Sequence, residues 1–210
     1  RACAVCELGY VARVAAKKKS ADLAPAKSGA SASSAPLDAA RVRSLLRALE
    51  SAIPVPYCEL DHSSPWTLLI ATILSAQSND KTINAVTPAL FAKWPTPAAL
   101  ATAPRAEVEE AVHKTGFFRN KAKAIVGSSR LLMEHHGGEV PRTMEELLVL
   151  PGVARKTASV VLAWCFGINA GVTVDTHVSR LAQRLKLSRH SEPRRIEPDL
   201  MKLVPQAHWQ

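Results

Sequence analysis

The sequence predicts an all-α protein. Apolar residues recur at three- and four-residue steps, Pro, Gly, Ser and Asp stand where helices should begin and end, and no stretch alternates like an antiparallel strand. The chain has 210 residues, of which 47% are hydrophobic and 21% charged. It is therefore long enough for one sizeable core or two small lobes, and its composition differs from that of a disordered protein.

The N-terminal part of the chain differs from the rest. Residues 12–36 are mainly Ala, Ser, Lys and Pro, and they cannot bury enough apolar surface to offset the entropy lost on ordering. We therefore predict a flexible basic arm over residues 1–37 and a helical domain over residues 38–210.

Start and stop residues place the helices of this domain. Asp38 can cap the first helix, which Pro54 ends. Ser64 begins a second helix that is apolar nearly all round over residues 66–76, which predicts the central core element. Pro88 should bend or break the third helix. The helices from the third onward are predicted over residues 82–94, 105–114, 120–136, 143–150, 156–166, 176–187 and 192–204.

The charge balance favours a polyanionic partner such as nucleic acid. Lys and Arg number 27 against 18 Asp and Glu, and the net charge is +9. A basic protein without a particular partner would have the same balance. The sequence contains neither a membrane-spanning apolar run nor a secretory signal, so we expect a cytoplasmic protein without membrane association. Cys58 and Cys165 stand in apolar surroundings and are predicted to be inert core residues.

A hairpin pattern in residues 146–162 carries the first functional signal. An apolar helix end is followed by a tight Gly-containing turn and a second helix. Such a turn leaves N–H groups unpaired at the second helix's N-terminus, where the helix dipole favours a phosphate. We predict a helix-hairpin-helix that holds the DNA backbone, although a plain helical hairpin has a similar pattern. The predicted contacts are Gly152, Val153, Ala154 and Arg155.

Two residues with catalytic chemistry follow this turn. Lys156 lies at its mouth, and Asp175 stands 19 residues further on, where an apolar run meets a helix start. The helix dipole disfavours the ammonium form of Lys156, so a fraction can be a neutral amine that attacks a sugar C1′ and forms a Schiff base. Asp175 can stabilise a cationic sugar or transfer protons. The pair favours an enzyme over a non-catalytic DNA-binding module, which would need only the hairpin.

Four segments in order, ILSAQSNDKTIN, TGFFRNKAKAI, LPGVARKTASVVL and VDTHVSRLAQRL, closely resemble the endonuclease III family of helix-hairpin-helix DNA glycosylases. The resemblance implies two helical lobes with double-stranded DNA in the cleft between them. It implies a monomer that removes oxidised pyrimidines, with Lys156 and Asp175 as the catalytic pair. Members that only remove a base usually lack this Lys, so a bifunctional glycosylase and AP lyase is implied. A purine- or alkyl-base glycosylase of the same fold remains the alternative.

The resemblance also implies further DNA contacts. Base removal requires the nucleotide to leave the stack and a side chain to fill the gap. Gln77 and Phe117 match the family's gap-filling and wedge positions, with a helix C-cap and a core aromatic residue as their alternatives. His177 is expected to contact DNA or to pack internally. Lys121 and Lys123 are expected to touch phosphate or to lie on a solvated basic face.

Two family features are not matched. Ala154 stands where the family often has a second hairpin Gly, and a left-handed backbone there would be strained. Members commonly continue into a [4Fe–4S] loop with four Cys, but this motif is absent from residues 1–210, so the domain is expected to be truncated before that loop. Cys3 and Cys6 have only the inner spacing, and a cluster normally needs four thiolates. We therefore predict no cofactor and no metal ligand in this chain.

Overall fold

A computed structural model describes residues 39–53 and 57–209. These residues contain ten α-helices, two short 3₁₀ helices and no strand, which confirms the predicted all-α class. None of these helices combines the length and the apolar character that crossing a membrane requires. The arm predicted for residues 1–37 lies outside the described residues.

The first five α-helices are α1 (Ala39–Ala52), α2 (Pro65–Ser75), α3 (Asp80–Lys93), α4 (Pro97–Ala101) and α5 (Arg105–Ala111). The remaining five are α6 (Phe118–His136), α7 (Met144–Val149), α8 (Arg155–Phe166), α9 (Thr176–Arg184) and α10 (Pro193–Leu203). The 3₁₀ helices are His113–Thr115 and Gln206–His208.

The larger of two hydrophobic cores is built around α2. Ser64 caps this helix through a reciprocal capping box with Thr67, and Pro65 occupies its first turn. Every residue from Trp66 to Leu74 is buried, because α2 packs against α3, α6 and α8. The prediction that this helix is the central core element is confirmed.

A second, smaller core lies between α9 and α10. The N-terminal helix α1 joins this lobe: Arg41 donates to the carbonyl of Leu185 at 3.3 Å, and Glu50 pairs with His208 at 3.2 Å. Two cores agree with the two predicted lobes. The second core consists of Ala182, Ile196 and Leu200, with Val172, Val174, Val178 and Leu187 packed against it.

Some elements differ from the prediction. Pro88 does not break α3, which continues past it to Lys93; a proline removes only one helical hydrogen bond, and neighbouring Leu90 is buried in the core. Helix α4 was not predicted, although Thr96 caps it by accepting the N–H of Ala99 at 3.1 Å. The helix predicted over residues 105–114 divides into α5 and a 3₁₀ turn. Helix α9 ends three residues early, before the left-handed Lys186 (φ +57°).

Candidate active site

The helix-hairpin-helix consists of α7, α8 and the turn between them. Gly152 in this turn has a left-handed backbone (φ +77°), which glycine adopts without a Cβ clash. A Cβ at this position would lie 2.8 Å from the Ala124 Cβ and 3.1 Å from the Ile73 Cγ2. Ser128 fixes the other side of the turn by donating to the Pro151 carbonyl at 2.7 Å. The hairpin turn therefore packs closely against α6 and α2.

The N-terminus of α8 has no side-chain cap in the described structure. Ala154 is its N-cap residue, in an extended conformation (φ −101°, ψ 170°). The left-handed strain considered for this position does not occur. Val153 is buried, with 8% of its surface exposed, and its backbone N–H donates to the Leu150 carbonyl at 3.1 Å, so it closes the turn rather than facing a phosphate. The uncapped first turn leaves N–H groups without intrahelical partners, as an anion-binding terminus requires.

Lys156 and Asp175 meet where the two lobes join. Lys156 lies in the first turn of α8, and Asp175 is the N-cap residue of α9. The Nζ of Lys156 donates to Oδ2 of Asp175 at 3.4 Å, while Oδ1 accepts the N–H of Val178 at 2.8 Å. The capping bond orients the carboxylate, and the structure thus brings both predicted catalytic residues together.

The electrostatic surroundings keep Asp175 ionised. Burial alone would raise its pKa, but the N–H groups of Val178 and His177 and the ammonium of Lys156 together hold the pKa below its ordinary value. The side chains of Lys156 and Asp175 are 56% and 32% exposed. Both open onto a cleft of about 630 Å³, which is also lined by Ser179 and by Arg180 of α9. The pair is accessible to a large substrate.

The side chain of Arg155 is engaged within the protein. Its Nε donates to Oε2 and Oε1 of Glu197 at 3.0 and 3.2 Å, and its Nη2 donates to Oε1 at 2.9 Å. These hydrogen bonds raise the pKa of Arg155 above its ordinary value despite the opposing effect of burial. Nε and Nη2 of Arg155 are therefore engaged by Glu197, and the hairpin contact predicted for Arg155 rests on its backbone N–H.

Gln77 and Phe117 share an uncommon backbone conformation. Their φ angles are +54° and +47°, values that are rare for residues other than glycine and that often mark functional sites. Phe117 is 66% exposed, so the core-aromatic alternative is wrong; Phe118 instead packs on the core. Gln77 is exposed and follows Ala76, the C-cap residue of α2.

Lys121 is buried, contrary to both expectations for it. Only 5% of its surface is exposed, and its ammonium donates to the Thr115 carbonyl at 2.6 Å. Burial lowers the pKa of Lys121. Its position four residues before the buried Ile125 places it on the core face of α6, a periodicity that the sequence already contained. Lys123 and His177 are exposed, so His177 does not pack internally.

The described residues do not fit an iron–sulfur cluster. No group of three or more His, Cys, Asp and Glu side chains comes together among them as metal ligands would. Cys165 is buried in the larger core and Cys58 packs against it, whereas a [4Fe–4S] cluster normally needs four thiolates. Cys3 and Cys6 lie outside the described residues, and the prediction about them stays a prediction.

Comparison with known proteins identifies the family. Residues 70–206 match the model of the HhH-GPD superfamily base excision DNA repair protein. The chain is 58% identical to endonuclease III of Synechocystis sp. over 170 residues, which are 81% of this chain and 78% of the relative. The chain belongs to the endonuclease III family. It is 43% identical to endonuclease III of Bacillus subtilis over 157 residues, 74% of this chain and 71% of that protein.

Solved structures of endonuclease III have the same fold. A trapped endonuclease III–DNA covalent intermediate superposes with a TM-score of 0.78 at 40% identity, covering 83% of this chain and 82% of the other. A thermostable thymine-DNA glycosylase at 19% identity shares the fold alone, with a TM-score of 0.70. Family membership makes this chain a DNA-binding enzyme of base excision repair, a DNA glycosylase and AP lyase.

Proposed function

We propose that Lys156 is the nucleophile of this glycosylase and AP lyase and that Asp175 is its essential carboxylate. One observation carries the proposal: an exposed lysine at an uncapped helix N-terminus lies 3.4 Å from an oriented carboxylate. The helix end can bind a phosphate next to the amine. An anchored DNA backbone would thus bring a sugar to the nucleophile.

In the proposed reaction, the neutral amine of Lys156 attacks C1′ of the damaged nucleotide. A C–N bond forms, the glycosidic bond breaks, and the base leaves with the bonding electrons and takes up a proton. Loss of the amine proton and ring opening give a protonated Schiff base. Removal of a C2′ proton then expels the 3′ phosphate by β-elimination, and hydrolysis of the Schiff base restores Lys156.

The surroundings of Asp175 favour an electrostatic role. Its pKa lies below the ordinary value, which makes it a weak base, because general bases work best with a pKa near the working pH. A carboxylate that is ionised at neutral pH stabilises a cationic sugar or iminium. We therefore assign Asp175 to charge stabilisation rather than to proton abstraction.

We propose a monomer acting on damaged bases in double-stranded DNA, with oxidised pyrimidines as the lesion class. The exposed, left-handed Phe117 suits a wedge and Gln77 suits the filling of the vacated space. Gly152 and Ala154 would hold phosphate through their backbone N–H groups, while the Val153 N–H closes the turn on the Leu150 carbonyl. The endonuclease III resemblance supports the lesion class. A DNA substrate is consistent with a cytoplasmic enzyme, associated with the nucleoid if the source is bacterial.

Borohydride trapping on duplex DNA with an abasic site tests the assignment. We expect a covalent adduct with the wild type and none with Lys156→Gln, because the amide can still form hydrogen bonds but lacks the nucleophilic lone pair of an amine. Lys202→Gln, which changes an exposed lysine in the last turn of α10, should trap like the wild type. An adduct with Lys156→Gln at the wild-type yield would disprove the assignment.

Substrate comparison separates the remaining alternatives. Duplexes containing thymine glycol should be cleaved faster than duplexes containing an alkylated purine. The opposite order would indicate a purine- or alkyl-base glycosylase. A non-catalytic binding module would bind DNA in every form and yield no adduct in any.

A further inference from the structure

An ion pair crosses from one lobe to the other close to the catalytic residues. Arg155 belongs to the first turn of α8 and Glu197 to α10, 42 residues later in the chain. The side chain of Arg155 is 51% exposed, but that of Glu197 is only 14% exposed. Three hydrogen bonds between 2.9 and 3.2 Å hold the two groups. Such a forked contact fixes orientation as well as distance.

A glycine leaves room for this pair. A Cβ on Gly171 would overlap Oε1 of Glu197 and would lie 3.4 Å from Nη2 of Arg155. Gly171 is itself buried, and Asp175 is the fourth residue after it in the chain. The ion pair therefore contacts the segment that leads to the catalytic carboxylate.

Both halves of the candidate catalytic pair are thus linked to this contact. Arg155 directly precedes Lys156, and Gly171 begins the segment that ends at Asp175. We propose that Arg155 and Glu197 form a positioning pair, which holds the Lys156 amine beside Asp175 by fixing the start of α8 against the second lobe. This inference rests on the proposed role of Lys156.

The magnitudes favour a geometric role over a stabilising one. Partly exposed ion pairs contribute little to folding stability, typically about 0–1 kcal/mol. A displacement of about 1 Å between reacting groups can instead slow a reaction by about 100-fold. The effect of the pair should consequently appear in the rate of the bound enzyme rather than in its stability or affinity.

A competing role would give Arg155 to the DNA. In that case Glu197 binds the guanidinium only in the free protein, and a DNA phosphate displaces the Glu197 carboxylate when DNA binds. Glu197→Gln would then release Arg155 and tighten DNA binding without slowing chemistry. The two roles therefore predict opposite results for one variant that leaves Arg155 in place.

The test measures two quantities on the full chain with abasic duplex DNA: the single-turnover rate of adduct formation at saturating DNA, and the Kd. For Glu197→Gln we expect the rate to fall by about 10- to 100-fold, with the Kd and the Tm near their wild-type values. Gly171→Ala should do the same, because it displaces Glu197 while keeping every charge. Glu107→Gln is the control, since it breaks the exposed pair with Lys93 (2.7 Å) inside the first lobe.

An unchanged rate in Glu197→Gln, or tighter binding without a loss of rate, overturns the positioning role. If Gly171→Ala does not fold, Glu197→Asp replaces it, because the shorter carboxylate keeps its charge but cannot reach both nitrogens. Lys156→Gln is run in parallel. Trapping by that variant would refute the nucleophile assignment, whereas its failure to trap, combined with a wild-type rate in Glu197→Gln, would refute the positioning role alone.

Discussion

At the scale of single residues, Asp175 has two structural partners that can be separated experimentally. One carboxylate oxygen caps α9 through Val178, and the other accepts from Lys156. Asparagine caps helices about as well as aspartate but carries no charge. Comparing Asp175→Asn with Asp175→Ala therefore distinguishes the contribution of the helix cap from that of the charge.

We predict that Asp175→Asn keeps the helix cap, loses only the stability that the carboxylate charge contributes, and removes bases far more slowly. Asp175→Ala should in addition lose about 0.5–2 kcal/mol of stability with its cap. Urea unfolding at neutral pH and glycosylase assays check both. Equal instability of the two variants would show that the cap is not the stabilising feature.

The same residue predicts a pH dependence. The folded pKa of Asp175 is lowered, so its charge contributes stability above the ordinary pKa, and this contribution is lost as the pH falls through the folded value. The stability difference between wild type and Asp175→Asn should therefore shrink below about pH 4. Urea unfolding across an acid series measures it; a difference that stays constant would contradict the lowered pKa.

Phe117 predicts a difference between two substrates. Phe117→Ala should slow base excision on intact duplex by about tenfold or more, yet slow cleavage at a preformed abasic site much less, because no base remains to be extruded there. Met133→Ala, which truncates a 39% exposed side chain toward the other end of α6, is the control. Equal losses of Phe117→Ala on both substrates would indicate a role in folding.

At the scale of elements, the hairpin depends on the close approach of its turn to two helices. Gly152 meets that requirement in two ways, by its left-handed backbone and by its lack of a Cβ. Gly137, the C-cap of α6, is also left-handed (φ +59°) but has nothing within 4 Å of its Cβ position. The two glycines therefore separate backbone strain from steric overlap.

Gly152→Ala should destabilise the protein more than Gly137→Ala does. A left-handed alanine costs about 1 kcal/mol at either site, and overpacking against Ala124 and Ile73 should add about 1–3 kcal/mol at the hairpin. Urea unfolding measures the difference, and DNA binding should weaken only for the hairpin variant. Equal destabilisation of Gly152→Ala and Gly137→Ala would mean that the core around Gly152 accommodates the extra methyl group.

For the whole molecule, part of the positive charge belongs to the predicted N-terminal arm. The chain carries a net charge of +9, and Lys17, Lys18 and Lys19 belong to the predicted arm outside the described residues. Each phosphate that a lysine neutralises releases counterions, so arm contacts would appear in the salt dependence of binding.

Deleting residues 1–36 should weaken DNA binding and flatten its salt dependence without preventing borohydride trapping. Binding isotherms at several salt concentrations provide the measurement. Replacing only the three lysines by glutamine keeps the length of the arm and should reproduce the smaller slope. If both variants keep the wild-type dependence of DNA affinity on salt concentration, the arm does not contribute to DNA binding.

Features that depend on near neighbours in the chain could be predicted from the amino-acid sequence. Ser64 caps α2, Asp175 begins α9, and Gly152 forms the hairpin turn, because caps, turns and apolar periodicity involve residues within about four positions. The motifs around Lys156 indicated the family for the same reason, since the hairpin and the helix start are local patterns.

Contacts between residues far apart in the chain became visible only in the packed fold. It paired Arg155 with Glu197 across 42 residues, buried Lys121 on the Thr115 carbonyl, and turned Phe117 outward while Phe118 packed inward. No local pattern specifies which polar groups become partners, because a polar side chain takes whichever partner the packed helices bring within hydrogen-bond distance. The hairpin pattern predicted a phosphate contact for Arg155, and the structure places the Glu197 carboxylate of α10 beside its side chain.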